Sequence, residues 1–291
     1  MRLLLDVKEN PTSGKGHFIK RLAAELPNHG VELVSDPKKP HDIYLAVNSF
    51  KHKTKAPKVL RVNGVYNNTD IPYKKMNEEI AIQCRKADGI VYQSEWSKQM
   101  HNKYVGTYKV PTDVIFNGAK IFETEPLQGI SFCAVSRWRP HKRLADIQKA
   151  FNLASIPDST LWISNKTKQT TVELALRSSV ALIHLCWQDA NPNSVVESLT
   201  MGTPVITNNV GGTQELIKPG CGKVCEIDAP YDMRPVKLYK PPPIDHRIVA
   251  EAMWESLSWP RVVNNGHVDI RNIAMQYKFF LEGVLNERSS L

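Results

Sequence analysis

Short apolar strand-like runs alternate with helix-patterned stretches twice over along this chain, and no other feature limits its fold so strongly. The first series places strands at 2–7, 31–36, 42–47, 58–63, 89–93 and 112–116, with helices at 15–27, 73–87 and 95–104. The second places strands at 130–137, 159–164, 180–186, 204–208 and 223–227, with helices at 141–154, 170–178, 192–201 and 212–217. Apolar strands separated by helices are the rhythm of parallel sheets covered on both faces. The interruption from Asn117-Gly118 to Gly129 has no strong period and reads as a linker. Two Rossmann-like α/β domains are therefore expected, over 1–125 and 126–265. An irregular, proline-rich connection at 228–243 should cover a surface, and helices resume at 245–257 and 268–285.

Composition narrows the class. The chain has 291 residues, 42% hydrophobic and 23% charged, as in ordinary globular proteins. No apolar run is long enough to span a bilayer. The charged residues that flank the first leucines argue for a strand instead of a signal peptide. Five scattered cysteines point to a reducing compartment, hence a cytoplasmic protein, soluble or peripherally membrane-associated. Cys221 and Cys225 have no matching histidine pair, and no other metal cluster stands out, so no metal is expected. The net charge of +9 is weighted to the N-terminal half, with a lysine run at 51, 53, 55 and 58. Such a surface suits an anionic membrane or a solvated loop; the absence of any recognisable nucleic-acid module argues against nucleic acid.

The densest signal is Asp189-Ala-Asn-Pro-Asn-Ser-Val-Val-Glu197, with Gly202-Thr-Pro204 after it and then Gly211-Gly212-Thr-Gln-Glu215. Asn191 suits a helix N-cap, Pro192 the first helical position, and Gly202 the C-cap. The amides at Asn193 and Ser194 would then form a positive helix tip able to hold phosphate. Upstream, Ser136-Arg137-Trp-Arg-Pro-His-Lys142-Arg143 follows an apolar strand and sets fixed cations at its end. Arg137 offers a planar fork and Lys142 a compact charge. Near the N-terminus, Gly14-Lys-Gly16-His17 joins a strand to a helix and would let backbone approach a phosphate.

These motifs resemble those of the GT-B retaining glycosyltransferases, family 4. There a Glu-Gly-Phe-Pro-Asn-x-x-x-Glu pattern precedes a Gly-x-Pro-Val-Ile run and a Gly-Gly-x-x-Glu turn, and a Gly-Arg-x-x-x-x-Lys motif ends an earlier strand. The resemblance implies two Rossmann-like domains facing each other across a cleft, the last helix (about 266–291) returning to the first domain. It implies transfer of a hexose from a nucleoside-diphosphate sugar to a hydroxyl of a glycan or glycolipid, with retention and without metal. Carried over, Arg137 and Lys142 grip the diphosphate, Asp189 contacts sugar hydroxyls, and Glu197 holds the ribose. Asn193, Ser194 and Val195 form the helix tip, while Gly14 and Gly16 face the donor phosphates. Asn63 stands where many members carry histidine, and it and His17 are candidate sugar or acceptor contacts. Two departures matter: the first acid is aspartate, and Asn63 cannot titrate as a base. Alternatives are a GT-B nucleotide-sugar epimerase or phosphorylase, or an eroded sugar-nucleotide-binding protein. His184, inside an apolar strand, reads as a satisfied core residue.

Overall fold

A computed structural model describes residues 1–7, 13–122 and 130–289. Both expected series of alternating elements are present, each built around its own parallel sheet. In the first, β1 (Arg2–Leu5), β2 (Glu32–Val34), β3 (Ile43–Val47), β4 (Lys58–Arg61), β5 (Gly89–Tyr92) and β6 (Thr112–Val114) pair in the order β2-β1-β3-β4-β5-β6. In the second, β7 (Ile130–Ala134), β8 (Ser159–Ile163), β9 (Ala181–His184), β10 (Val205–Asn208) and β11 (Gly222–Cys225) run in the order β11-β10-β9-β7-β8. Interior strands such as β5, β9 and β10 are buried along their whole length, as helices on both faces require.

Contacts divide the chain into two units, Met1–Gly118 with Ile270–Leu291, and Ala119–Asp269. The expected boundary at 125/126 lies outside the described residues. In the first unit, α1 (Gly14–Glu25) and α8 (Ile270–Ser289) cover one face, where Phe18, Leu22, Ile273, Tyr277 and Leu281 pack on Leu3, Leu5 and Val59. Gly89 lets α8 approach β5: a Cβ there would meet Val284 Cγ2 at 2.8 Å. The opposite face packs Cys84, from α2 (Tyr73–Cys84), with Tyr44, Leu60 and Tyr92 of the strands. The helix α3 (Glu95–Tyr104) starts at Ser94, whose side chain accepts from the Ser97 amide in a capping box.

In the second unit, α4 (Leu144–Ala154) and α7 (His246–Ser256) share a core with β7, β9 and β10, joining Ile147, Ala150, Val249 and Met253 to Phe132, Ile183 and Ile206. The remaining helices are α5 (Gln169–Ser178) and α6 (Asn193–Thr200). Nine strands end one to three residues earlier than expected, their last residues leaving the ladder for the loops that follow, while β3 and β10 end where expected. The helix expected at 212–217 is a 3-10 turn, Gly212–Leu216, too short to complete α-type bonds. Among the described residues, no helix is long and apolar enough to cross a membrane.

Candidate functional site

In an open parallel sheet, ligands bind outside the carboxyl ends of the strands where the order of connection reverses. In the second unit that point lies between β7 and β9, neighbours from which the chain continues to opposite edges. The loop after β7 carries Arg137 and Lys142; the loop after β9 carries Asp189. They meet: Lys142 Nζ donates to Asp189 Oδ2 at 2.5 Å, and the two side chains are 18% and 19% exposed. A backbone bond fastens the loops together, the Trp187 amide donating to the His141 carbonyl at 2.8 Å.

Each loop is also anchored from behind. The Ser136 amide donates to Ser164 Oγ at 3.0 Å and Trp138 Nε1 to the Ser164 carbonyl at 2.7 Å, so the loop leaving β7 is tied to the one leaving β8. Arg143 is not a ligand-facing cation. It is 2% exposed and forks onto Asp228 at 2.8 and 2.6 Å, with a third bond to the Pro242 carbonyl. The irregular segment 228–243 thus covers this end of the unit, as expected, and lays Tyr239 against His141 and Tyr231 against Trp187.

Asp189 is positioned by a glycine. Its carbonyl accepts from the Gly212 amide at 2.8 Å, and Asp189 pairs with Gly211 in an isolated parallel bridge. Gly211 has φ +105°, and a Cβ there would lie 2.6 Å from the Asp189 carbonyl oxygen. Only glycine permits that approach.

Burial opposes the charge on both members of the Lys142–Asp189 pair, but their mutual attraction wins. Lys142 is held well above the usual lysine value, with Cys186 contributing after Asp189, and Asp189 well below the carboxylate range, with His184 contributing after Lys142. Burial, reinforced by Lys142, pushes His141 down to about 4. Burial likewise lowers His184 and raises the Cys186 thiol to about 12. At neutral pH the centre is one cation and one anion amid neutral groups.

The helix α6 begins one residue later than expected. Pro192 occupies the N-cap and supplies no side-chain bond, so Asn191 is not the cap. Asn193 and Ser194 form the half-buried first turn, Val195 is fully buried and Glu197 is 7% exposed. The helix ends at Thr200, and Gly202 follows with φ +77°. Arg137 is exposed.

The candidates of the first unit form a separate set. Gly14 and Gly16 are not loop residues: Ser13 caps α1, its Oγ accepting from the Gly16 amide at 3.4 Å, so both glycines sit in the first helical turn. Residues 8–12 of that motif lie outside the described residues. His17 is half-buried in the same turn. Asn63 lines a cavity of about 600 Å³ with Asn48, Gly64, Tyr66, Met76 and Glu79. Its Oδ1 accepts from Arg61, while its buried Nδ2 has no hydrogen-bond partner.

Sequence reasoning missed Arg61. It is 1% exposed, lies over the Phe18 ring at 4.5 Å, and donates to Asn63, Gln93, Asn117 and Tyr277. It therefore joins the tips of β4, β5 and β6 to α8. The expectation for His184 also needs correcting. Its Nε2 is buried without a hydrogen-bond partner, 3.7 Å from Asp189 Oδ2. The alternation His184-x-Cys186 was visible, but not its convergence on Asp189.

No protein-family model and no curated protein matches the chain. Its fold is nonetheless similar to solved structures along almost its full length. A sucrose-phosphate synthase from Thermosynechococcus elongatus aligns at TM-score 0.69 and 12% identity, over 98% of this chain and 99% of that one. The lipopolysaccharide outer core galactosyltransferase WaaB aligns at 0.64 and 12%, over 97% and 99%. HepE of Anabaena, solved with UDP and glucose, aligns at 0.63 and 14%, over 100% and 99%. The chain has the GT-B fold of these glycosyltransferases.

Proposed function

We propose that this chain is a retaining glycosyltransferase of the family 4 type, moving a hexose from a nucleoside-diphosphate sugar to a hydroxyl of a glycan or glycolipid. The observation that carries the reading is the Lys142–Asp189 pair, partly accessible at the switch point of a parallel sheet with its loops tied down on both sides. Likeness in fold to HepE, solved with UDP and glucose, supports the nucleotide-sugar donor.

In this reading the donor diphosphate meets Lys142, Arg137 and the first turn of α6. The ammonium has three donors and Asp189 takes one, leaving others for phosphate oxygens. As the sugar departs, negative charge grows on the β-phosphate, and a cation already fixed in a partly dry site stabilises it without reorganisation. The positive charge of Lys142 and Arg137 makes a metal unnecessary, and the leaving phosphate helps deprotonate the incoming hydroxyl. Asp189, kept ionised by Lys142, accepts from sugar hydroxyls, and Glu197 from the ribose. On the acceptor side, the cavity beside Asn63 offers amide groups and the half-open Tyr66 ring, a lining suited to a sugar. Asn63 would donate through Nδ2, since Arg61 already engages its oxygen. His17, Gly14 and Gly16 remain candidates on the same side. The five cysteines are all free and buried, which suits a cytoplasmic setting. The lysine run at 51–58 would bring an anionic membrane surface to a glycolipid acceptor.

The test is a thermal-shift panel of UDP-, GDP- and ADP-sugars, followed by hydrolysis and transfer assays on any donor that raises Tm. One donor class should stabilise the protein, and Lys142→Ala should remove both that shift and turnover. Stabilisation by none of them would overturn the reading.

A further inference from the structure

His184, Cys186 and Asp189 bring an imidazole nitrogen, a thiol sulfur and a carboxylate oxygen within 4.8 Å of one another. His184 and Cys186 are 4% and 1% exposed, and His184 Nε2, buried without a hydrogen-bond partner, lies 3.7 Å from Asp189 Oδ2. An unpartnered imidazole nitrogen and a carboxylate oxygen at this spacing are two donors able to share one cation. A tetrahedral zinc ion with bonds of about 2.0–2.3 Å holds its donor atoms about 3.3–3.7 Å apart. The spacing between His184 and Asp189 therefore needs almost no adjustment. What neutralises the carboxylate in this structure is the Lys142 ammonium, at 2.5 Å from Asp189. Both partners of that ion pair are about one-fifth exposed, so an ion has a way in and the lysine a way out.

We propose that His184, Cys186 and Asp189 form a binding site for a thiophilic divalent cation, Zn2+ fitting the nitrogen–sulfur–oxygen donor set best, and that the ion competes with Lys142 for Asp189. On binding, the Cys186 S–H bond breaks, its proton goes to water, and the sulfur bonds the metal. The Lys142–Asp189 bond is given up, and water completes the fourth position. If the glycosyltransferase reading above holds, on which this consequence alone rests, the ion takes a sugar-binding carboxylate and displaces a phosphate-binding lysine. Zinc would then inhibit the enzyme.

The experiment uses the full chain and needs neither donor nor acceptor, so its outcome is separate from that of the glycosyltransferase reading. Co2+ is titrated and read by the thiolate-to-cobalt charge-transfer absorption; Zn2+ is titrated against a chromogenic chelator. The wild type should show the thiolate band and bind one ion. Cys186→Ser should abolish the band, and Cys186→Ser and His184→Asn should each weaken Zn2+ binding by about tenfold or more. Lys142→Met, which removes the competing cation, should tighten it. Circular dichroism checks that each variant is folded, and His184→Asn carries the test should Cys186→Ser misfold. Absence of a thiolate band in both the wild type and Lys142→Met overturns the proposal. So does Zn2+ affinity indifferent to the loss of His184 or Cys186.

Discussion

Arg61 of the first unit and Lys142 of the second both lie near the carboxyl ends of central strands, yet the two are used in opposite ways. Arg61, in the first, is sealed at 1% exposure and, among the described residues, donates to neutral oxygens of three amides and a phenol. Lys142, in the second, faces a carboxylate and remains 18% exposed. A guanidinium with a rigid fork of donors suits permanent wiring of strand tips. A flexible ammonium paired with an accessible carboxylate is free to exchange partners. Burial of an ion pair is weak evidence of stabilisation, which directs attention to function for Lys142 and to architecture for Arg61.

The largest expected effect breaks the architectural half. Arg61→Met removes the shared donor of four acceptors, three of them on buried residues, and should destabilise the protein by about 3–5 kcal/mol, read by urea unfolding. Lys142→Met should cost far less, about 1–2 kcal/mol, because water reaches Asp189. The same variant should lower turnover about 10²–10³-fold. Equal losses of stability in the two variants, with activity following stability, would erase the distinction.

Gly211→Ala comes next. The positive φ and the 2.6 Å approach to the Asp189 carbonyl should cost about 1–3 kcal/mol, and the displaced Asp189 should reduce donor binding as well. Gly220 has φ +81°, and a Cβ added there would meet nothing within 4 Å. Gly220→Ala should therefore destabilise by backbone strain alone, with donor binding intact. A Gly211→Ala variant that melts earlier but binds normally would show that the bridge does not position the acid.

A loss spread over pH is shared by both units. Burial holds His101 at about 4, as burial and Lys142 hold His141. The unfolded chain, with histidines near 6.5, binds more protons than the folded one between those values. Stability contributed by these groups is therefore full above pH ~6.5 and lost as pH falls towards ~4, at about 1.4 kcal/mol per pH unit for each histidine. Asp189, depressed by Lys142, adds a loss that begins only below the ordinary carboxylate value of ~3.9. Urea midpoints measured against pH should slope accordingly, and His101→Gln should reduce the slope by one proton.

The elements were readable because covered parallel strands must be apolar throughout, and runs such as Leu3–Leu5 and Ala181–Ile183 leave little else to be. Loops were less readable. The expected strand 130–137 stops at Ala134 because the following residues are claimed by Ser164, and nothing local announces that bond. The helix tip is displaced by one residue because Pro192 takes the cap expected at Asn191. Lys142 and Asp189 each carry a sequence signal, but their direct bond joins residues 47 positions apart in separate loops. Arg61 carries no local sign of its four bonds. Its role rests on Tyr277, 216 residues away, and no window of sequence contains both.

The central claim is that the strand-end centre of the second unit holds a nucleoside diphosphate through Lys142 and Glu197. Calorimetric titration of UDP, GDP and ADP into the wild type, Lys142→Ala and Glu197→Gln tests it most directly. One nucleotide should bind the wild type, and each substitution should weaken it by about tenfold or more, the loss of one charge-assisted bond. Binding that is undiminished in both folded variants would contradict the account.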